Sequence, residues 1–336
     1  MRTIAIANQK GGCGKTTTSV NLAAAFAQHG ERTLIVDLDP QGHSTLGFGY
    51  NPETLDKTIY HALTNVQIPL PRVIIDTNVE RLSLAPSNIL LSGAELELAN
   101  VVGREFVLSE QYRMVSDEFD VCVMDCPPSL GLLTLNALIA STDVIVPVQV
   151  NYYAMEGLRQ LLETADIIKM NFQPCYVKIL GLLLTFVEDR TLLSRQIQHQ
   201  MREFFGDLVF DTVIHRTVRL AEAPSSGESV LTYAPNSKGA LEYMALVEEI
   251  TRREATQDEQ VEDAEAFTEE VEDKQASAGQ VEEEQALAGQ VEEEQAPAEE
   301  IEGKQALVEQ VEEEQALTEI LSSEEIAKLK QETNNG

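Results

Sequence analysis

The chain has 336 residues, 56 of them acidic and 24 basic, for a formal net charge of −32. Hydrophobic residues make up 43%, enough for a sizeable core, and no apolar run approaches the roughly 20 residues that span a bilayer as a helix. This charge excludes a globally basic polyanion binder, so any polyanionic partner must meet a local cationic patch.

In chain order, strands are predicted at 3–7, 32–37, 72–76, 81–85, 120–125, 143–148, 178–185 and 209–214. They alternate with helices near 16–29, 54–64, 92–117 (broken), 131–141, 154–170, 192–205 and 237–253. Runs such as Leu34-Ile35-Val36 and Val144-Ile145-Val146 are apolar on both faces, as a sheet covered by helices on each side requires. The reading is an α/β fold with a doubly wound, mostly parallel sheet and its chemistry at the carboxyl ends of the strands.

Charge divides the chain in two. Residues 1–253 carry 29 acidic and 20 basic side chains, whereas residues 254–336 carry 27 acidic and 4 basic, 23 of the 32 net negative charges. In that tail Val261, Val271, Val281, Val291, Ile301 and Val311 recur every ten residues. At roughly 100° per residue a ten-residue step leaves successive valines about 80° apart, so they spiral around a helix and form no coiled-coil stripe. Low hydrophobicity with high net charge predicts a disordered acidic tail. Ser322 and Glu325 form a capping box ahead of a short helix at 326–331. The expected organisation is one domain at 1–253 and a mostly disordered decamer-repeat tail at 254–336.

Cys13, Cys122, Cys126 and Cys175 show no C-x-x-C spacing and no accompanying histidine cluster. Cys122 and Cys126 share one face of a predicted strand and read as core. Scattered free cysteines and the absence of a signal-peptide pattern before Ile4 suggest a reducing, cytoplasmic setting.

Residues 8–18 read Asn-Gln-Lys-Gly-Gly-Cys-Gly-Lys-Thr-Thr-Thr, directly after the apolar run Thr3–Ala7. A strand feeds a glycine-rich turn that opens into a helix. Backbone N–H groups of Gly11, Gly12, Cys13, Gly14, Lys15, Thr16 and Thr17 can converge on phosphate oxygens at the positive end of that helix. Lys15 can reach the β/γ-phosphates, and the Thr16 hydroxyl can bind Mg²⁺. The spacing is not G-x-x-x-x-G-K-[ST] but the deviant K-G-G-x-G-K-T, with Lys10 five residues before Lys15. Two further strands end in carboxylates: Asp37-Leu38-Asp39-Pro40-Gln41-Gly42, and Asp125-Cys126-Pro127-Pro128-Ser129 in a Walker B pattern. Asp37 is expected near the phosphates, Asp125 holds Mg²⁺ through water, and Asp120 reads as a strand-entry residue.

The deviant loop resembles the ParA/MinD class of P-loop ATPases over residues 2–250, and most of all the Soj-like chromosomal partition ATPases. The resemblance implies an Mg²⁺-dependent ATPase in which Lys10 reaches across an ATP-bound homodimer to the partner's nucleotide. It implies that Asp39 positions the attacking water beside the metal. It places the base near Thr185-Phe186 and Val213-Ile214-His215. It matches Arg190, Arg216 and Arg219 to a non-specific DNA contact, and His215 stands where proline is usual. The implied partners are a ParB-type centromere-binding protein and nucleoid DNA in the cytoplasm, with no membrane contact. The alternatives are a ParA-like ATPase that positions a protein cargo, and a MinD-like membrane-positioning ATPase. The MinD-like form requires a basic amphipathic C-terminal helix, where this chain is acidic.

The tail's charge is expected to oppose DNA binding. Deleting residues 258–336 should leave folding and basal hydrolysis intact while tightening DNA binding, most visibly at low salt, where screening is weak. Equal affinity of the full-length and truncated chains across a salt series would make the tail a neutral appendage.

Overall fold

The computed structural model describes residues 1–151 and 177–254, together with Met170 and Phe172. Its sheet is built outward from β1 (Arg2–Ile6), which pairs in parallel with β5 (Val121–Asp125) on one side and β6 (Asp143–Gln149) on the other. The remaining strands are β2 (Thr33–Asp37), β3 (Ile75–Asp76), β4 (Leu82–Ala85), β7 (Lys178–Val187) and β8 (Ile214–His215). Among the described residues they form one eight-stranded sheet in the order β3-β4-β2-β5-β1-β6-β7-β8. Every pair is parallel except β3 with β4. The doubly wound α/β expectation therefore holds.

The central strands are buried on both faces, and their residues alternate between two apolar layers. Leu34, Val36, Cys122, Met124, Val144 and Val146 point into one layer. Ile4, Ile6, Ile35, Val123 and Ile145 point into the other. The second layer is closed by α1 (Lys15–His29) through Leu22–Phe26, and by the helix over 238–254 through Tyr243, Leu246, Val247 and Ile250. The first is covered by α3 (Ile59–Thr64), α4 (Ala94–Leu98), α5 (Val107–Tyr112) and α6 (Leu132–Ile139). In chain order α2 (His43–Gly47) falls between α1 and α3, and the described residues continue through α7 (Leu192–Phe205), α8 (Val218–Glu222), α9 (Val230–Tyr233) and α10, the helix over 238–254.

Three expectations need correction. The predicted strand at 209–214 contracts to Ile214–His215 plus one bridge between Leu182 and Val209. The N–H groups of Asp211 and Thr212 donate to the buried Glu249 carboxylate, each at 2.8 Å, and so are not free for a ladder. Arg253 reinforces this corner by bonding Glu249 at 2.8 Å and lying 4.4 Å over the Phe210 ring. The helix predicted at 54–64 splits because Asn51 caps a 3-10 turn at Pro52–Thr54 and Thr58 then starts α3 afresh. The strand predicted at 72–76 keeps only Ile75–Asp76, after a 3-10 turn at Leu70–Arg72. The predicted helix at 154–170 (apart from Met170), Cys175 and the acidic tail lie outside the described residues. Asp120 does stand at a strand entry, where its carboxylate takes the Arg32 guanidinium at 2.5 Å.

Candidate nucleotide site

Ala7–Gly14 joins the end of β1 to α1 as a loop whose shape depends on glycine. Gly12 and Gly14 have φ of 73° and 92°, in the left-handed region that disfavours residues with a Cβ. Gly14 is the N-cap of α1 and has no side chain to close it, so the first N–H groups of the helix point outward. The loop is pinned from beneath. Asn8 Nδ2 donates to the Pro147 carbonyl at 2.8 Å, and Asn8 Oδ1 accepts from Lys10 N at 3.0 Å. The Thr185 hydroxyl donates to the Cys13 carbonyl at 2.8 Å. The buried Lys15 folds its ammonium back onto the Lys10 carbonyl at 3.2 Å. Lys10 extends instead to Asn151 Oδ1 at 2.8 Å. Cys13 is buried, with its thiol on the Lys10 carbonyl, and burial lifts its pKa above the ordinary value.

Beside this loop two carboxylates stand together. Asp37 and Asp125 end adjoining strands and are partners in the β2–β5 register, and both are fully buried. Asp125 accepts from Ser19 Oγ at 3.1 Å and Ser44 Oγ at 2.8 Å. Asp37 accepts from Thr45 N and Oγ1, each at 2.8 Å, and from Asp39 N at 3.2 Å. Burial lifts both carboxyls above the usual carboxylate range. The Asp125 charge raises Asp37 further, and the Asp39 charge does the same for Asp125. The Thr16 hydroxyl is one of the groups that restrain the rise at Asp125. Asp39 is partly exposed; its carboxylate accepts from Gln41 N at 2.9 Å and its carbonyl from Gly42 N at 2.9 Å. Asp39 therefore shapes the turn after β2.

The hydroxyl and carboxylates are hard oxygen donors suited to Mg²⁺. Among the described residues, no group of three or more His, Cys, Asp or Glu could hold a metal. A cation here fits one that shares its coordination with phosphate and water, held by Thr16 and the nearby aspartates.

Two clefts flank the N-terminal end of α1. One, of about 690 Å³, runs between Thr16, Thr17, His43 and Tyr50 on one side and Ala223–Glu228 on the other. The second, of about 510 Å³, is lined by Gly14, Thr17, Thr185, Phe186, Ile214 and His215, with Tyr243 also on its wall. Of the expected base-contact segments, Thr185, Phe186, Ile214 and His215 line this cleft with Gly14, and Val213 is not on its wall. Phe186 adopts φ 53°, strained for a side chain of its size, at the irregularity in the β7–β8 register.

The arginines lie on the carboxyl side of β7 and β8. Arg190, Arg216 and Arg219 are exposed. Arg216 Nη1 meets Glu188 Oε1 at 3.3 Å, and Arg219 Nη1 meets Glu222 Oε2 at 2.8 Å. Exposed pairs of this kind add little stability, so a polyanion can displace them. Sequence reasoning missed Ser19, Ser44, Thr45 and Asn8. Ser19 lies one helical turn beyond Lys15, a spacing that does signal proximity to the loop; the other three carry no such mark.

A family model described as an AAA domain matches residues 1–176. The chromosome partitioning protein ParA of Myxococcus xanthus is 44% identical over 253 residues, 75% of this chain and 89% of that protein. The chromosome-partitioning ATPase Soj of Thermus thermophilus is 46% identical over 253 residues, 75% of this chain and 96% of the relative. Among solved structures, cobyrinic acid a,c-diamide synthase from Mycobacterium smegmatis with bound ATP analog and magnesium is 37% identical, with a TM-score of 0.65 over 73% of this chain and 92% of that one. The matches to the two partition proteins agree with the deviant glycine loop, and on this evidence the chain belongs to the ParA/Soj family of P-loop proteins.

Proposed function

We propose that the chain is a partition ATPase that dimerises around ATP, binds DNA non-specifically in that state, and resets by hydrolysis under a ParB-type partner. The observation that carries this reading is the pairing of the left-handed glycine loop and Lys15 with the buried Asp37–Asp125 couple at adjoining strand ends. A loop of outward N–H groups accepts phosphate, and two carboxylates raised by burial favour a shared cation.

In this reading the N–H groups of Gly11–Thr17 cradle the phosphates, and Lys15 exchanges the Lys10 carbonyl for a β/γ-phosphate oxygen. Thr16, Asp39 and Asp125 would hold Mg²⁺, which would supply charge neutralisation at the phosphates. Asp39 orients the attacking water. Phosphoryl transfer needs positioning and charge more than a covalent nucleophile, so no cysteine or histidine is required. Lys10 leaves Asn151 and reaches the partner subunit's nucleotide. The base occupies the Phe186–His215 cleft. Arg190, Arg216 and Arg219 meet DNA phosphates. Residues 1–253 constitute the ATPase domain, and the tail modulates its DNA affinity. An ATPase that positions a protein cargo would use the same nucleotide site, and DNA titration separates the two.

Asp39→Ala should retain fluorescent-ATP binding, lose hydrolysis by about 100-fold or more, and elute as a dimer with ATP and Mg²⁺. Lys15→Ala should lose ATP binding altogether. An Asp39→Ala chain that stays monomeric, or hydrolyses like the parent, contradicts the role given to Asp39.

A raised carboxyl favours the fold when protonated. Without cation, the contribution of Asp125 is therefore most favourable at low pH and is lost as pH rises through its folded range. Asparagine can accept from one of Ser19 and Ser44 and donate to the other's hydroxyl, without the charge. Asp125→Asn should melt above the parent near pH 8 by on the order of 1–2 kcal/mol, with the gap closing towards pH 5. It should also lose Mg²⁺-dependent stabilisation by ATP. A gap that does not change with pH contradicts the buried-charge account.

Arg219→Glu combined with Arg190→Glu should weaken DNA binding without altering dimerisation. The slope of log affinity against log salt should fall by about one unit per lost phosphate contact. An unchanged slope would move the DNA face elsewhere.

A further inference from the structure

His215 ends β8 and lines the second cleft, with its side chain 15% exposed. Its ring faces two carboxylates at once. Nδ1 lies 2.5 Å from Glu242 Oε1 on α10, and Nε2 lies 2.7 Å from Asp189 Oδ2 in the turn after β7. The His215 backbone N–H donates to the other Glu242 oxygen at 2.9 Å. A neutral imidazole has one N–H and one lone pair, so it can serve only one of these acceptors, and the lone pair would face the other carboxylate. The imidazolium donates to both. Both ring nitrogens thus face acceptors, an arrangement that two N–H donors satisfy.

The surrounding charges come from three segments. The turn after β7 supplies Glu188, Asp189 and Arg190, and α10 supplies Lys238 and Glu242. The residue after His215 is Arg216, bonded to Glu188. Lys238 Nζ stands 3.8 Å from Asp189 Oδ2 and 3.9 Å from Glu242 Oε1; it opposes a second cation between them and shares the same carboxylates. Asp189 is held below the usual carboxylate range first by its bond to His215. The two arms differ: Asp189 is 61% exposed and Glu242 13%. Glu242 keeps the backbone N–H whatever the ring's charge, so the Asp189 arm is the one that releases.

We propose that protonated His215 is a positioning residue that ties the Glu188–Arg190 turn to α10, fixing the cleft wall and the bearing of Arg190 and Arg216, and that the tie opens when the ring loses its proton. The proposal rests on the reading of this cleft as the base site. The tie is complete while both ring nitrogens carry protons and loses its Asp189 arm when one proton leaves. ATP affinity then gains a proton dependence that the phosphate loop alone would not give.

The test uses the full-length chain in two measurements. Histidine-selective ¹⁵N NMR follows the His215 ring through a pH titration in the parent and in Asp189→Asn, a change at an exposed position that leaves the core untouched. Neutralising Asp189 should move the midpoint down, and an unmoved midpoint overturns the tie. Affinities for ATP and for inorganic tripolyphosphate are then compared in the parent and His215→Gln, at about pH 6 and about pH 8.5, either side of the ordinary histidine range. The parent should bind ATP about two- to fivefold more tightly than the variant at the lower pH. That ratio should fall towards one at the higher pH, and tripolyphosphate should show none of it. A ratio independent of pH reduces His215 to a structural contact and overturns the proposal. A parent that binds ATP at neither pH would sink the nucleotide reading, while the NMR midpoint would still decide the tie.

Discussion

Two fully buried carboxylates, side by side at the ends of neighbouring parallel strands, set the terms for the whole site. Asp37 and Asp125 are register partners, and neither is exposed. Such a pair is costly unless hydroxyls, N–H groups or a cation compensate it. The fold supplies Ser19, Ser44, Thr45 and the Asp39 N–H, which is why α1, α2 and the turn after β2 converge where they do. The remaining imbalance is what a nucleotide-bound Mg²⁺ would correct. In the proposed reading these unfavourable electrostatics would contribute to binding the ion, beside phosphates on the glycine loop.

From that point the structure extends in two directions. Towards the loop, Lys15 is parked on the Lys10 carbonyl and Lys10 on Asn151, so both ammonium groups are held by neutral acceptors that a phosphate can outcompete. Towards the sheet edge, β7 and β8 carry the cleft beside Gly14 and then the arginines. The Phe186 backbone strain and the His215 contacts lie on this path, between the nucleotide loop and the exposed cationic residues. A change in the cleft wall can therefore reach Arg190 and Arg216 through a few bonds.

Much of this was legible in the sequence wherever the signal was local. The glycine loop, its lysines and the two strand-terminal aspartates are contiguous motifs, and the double-sided apolar strands fix the fold class. What was not legible depends on residues that the topology brings together. The adjacency of Asp37 and Asp125 follows from β5 lying between β1 and β2, which no spacing reveals. The strand expected at 209–214 is lost to Glu249, 38 residues beyond Asp211. The His215 contacts arise because β7–β8 pairing and α10 bring in Asp189 and Glu242, 26 and 27 residues away. The arginines were singled out through resemblance alone, and the pairing of Arg216 with Glu188 and of Arg219 with Glu222 matches the charge pattern around them.

If the site couples ATP, through Mg²⁺ and Lys10, to association of two chains as proposed, the oligomeric state must follow the nucleotide. Sedimentation velocity of the full-length protein with Mg²⁺ and either ATP or ADP tests it most directly. The account predicts a doubling of mass with ATP and Mg²⁺, and a monomer with ADP or with ATP in the presence of a chelator. A mass indifferent to which nucleotide is present, or to Mg²⁺, would contradict it.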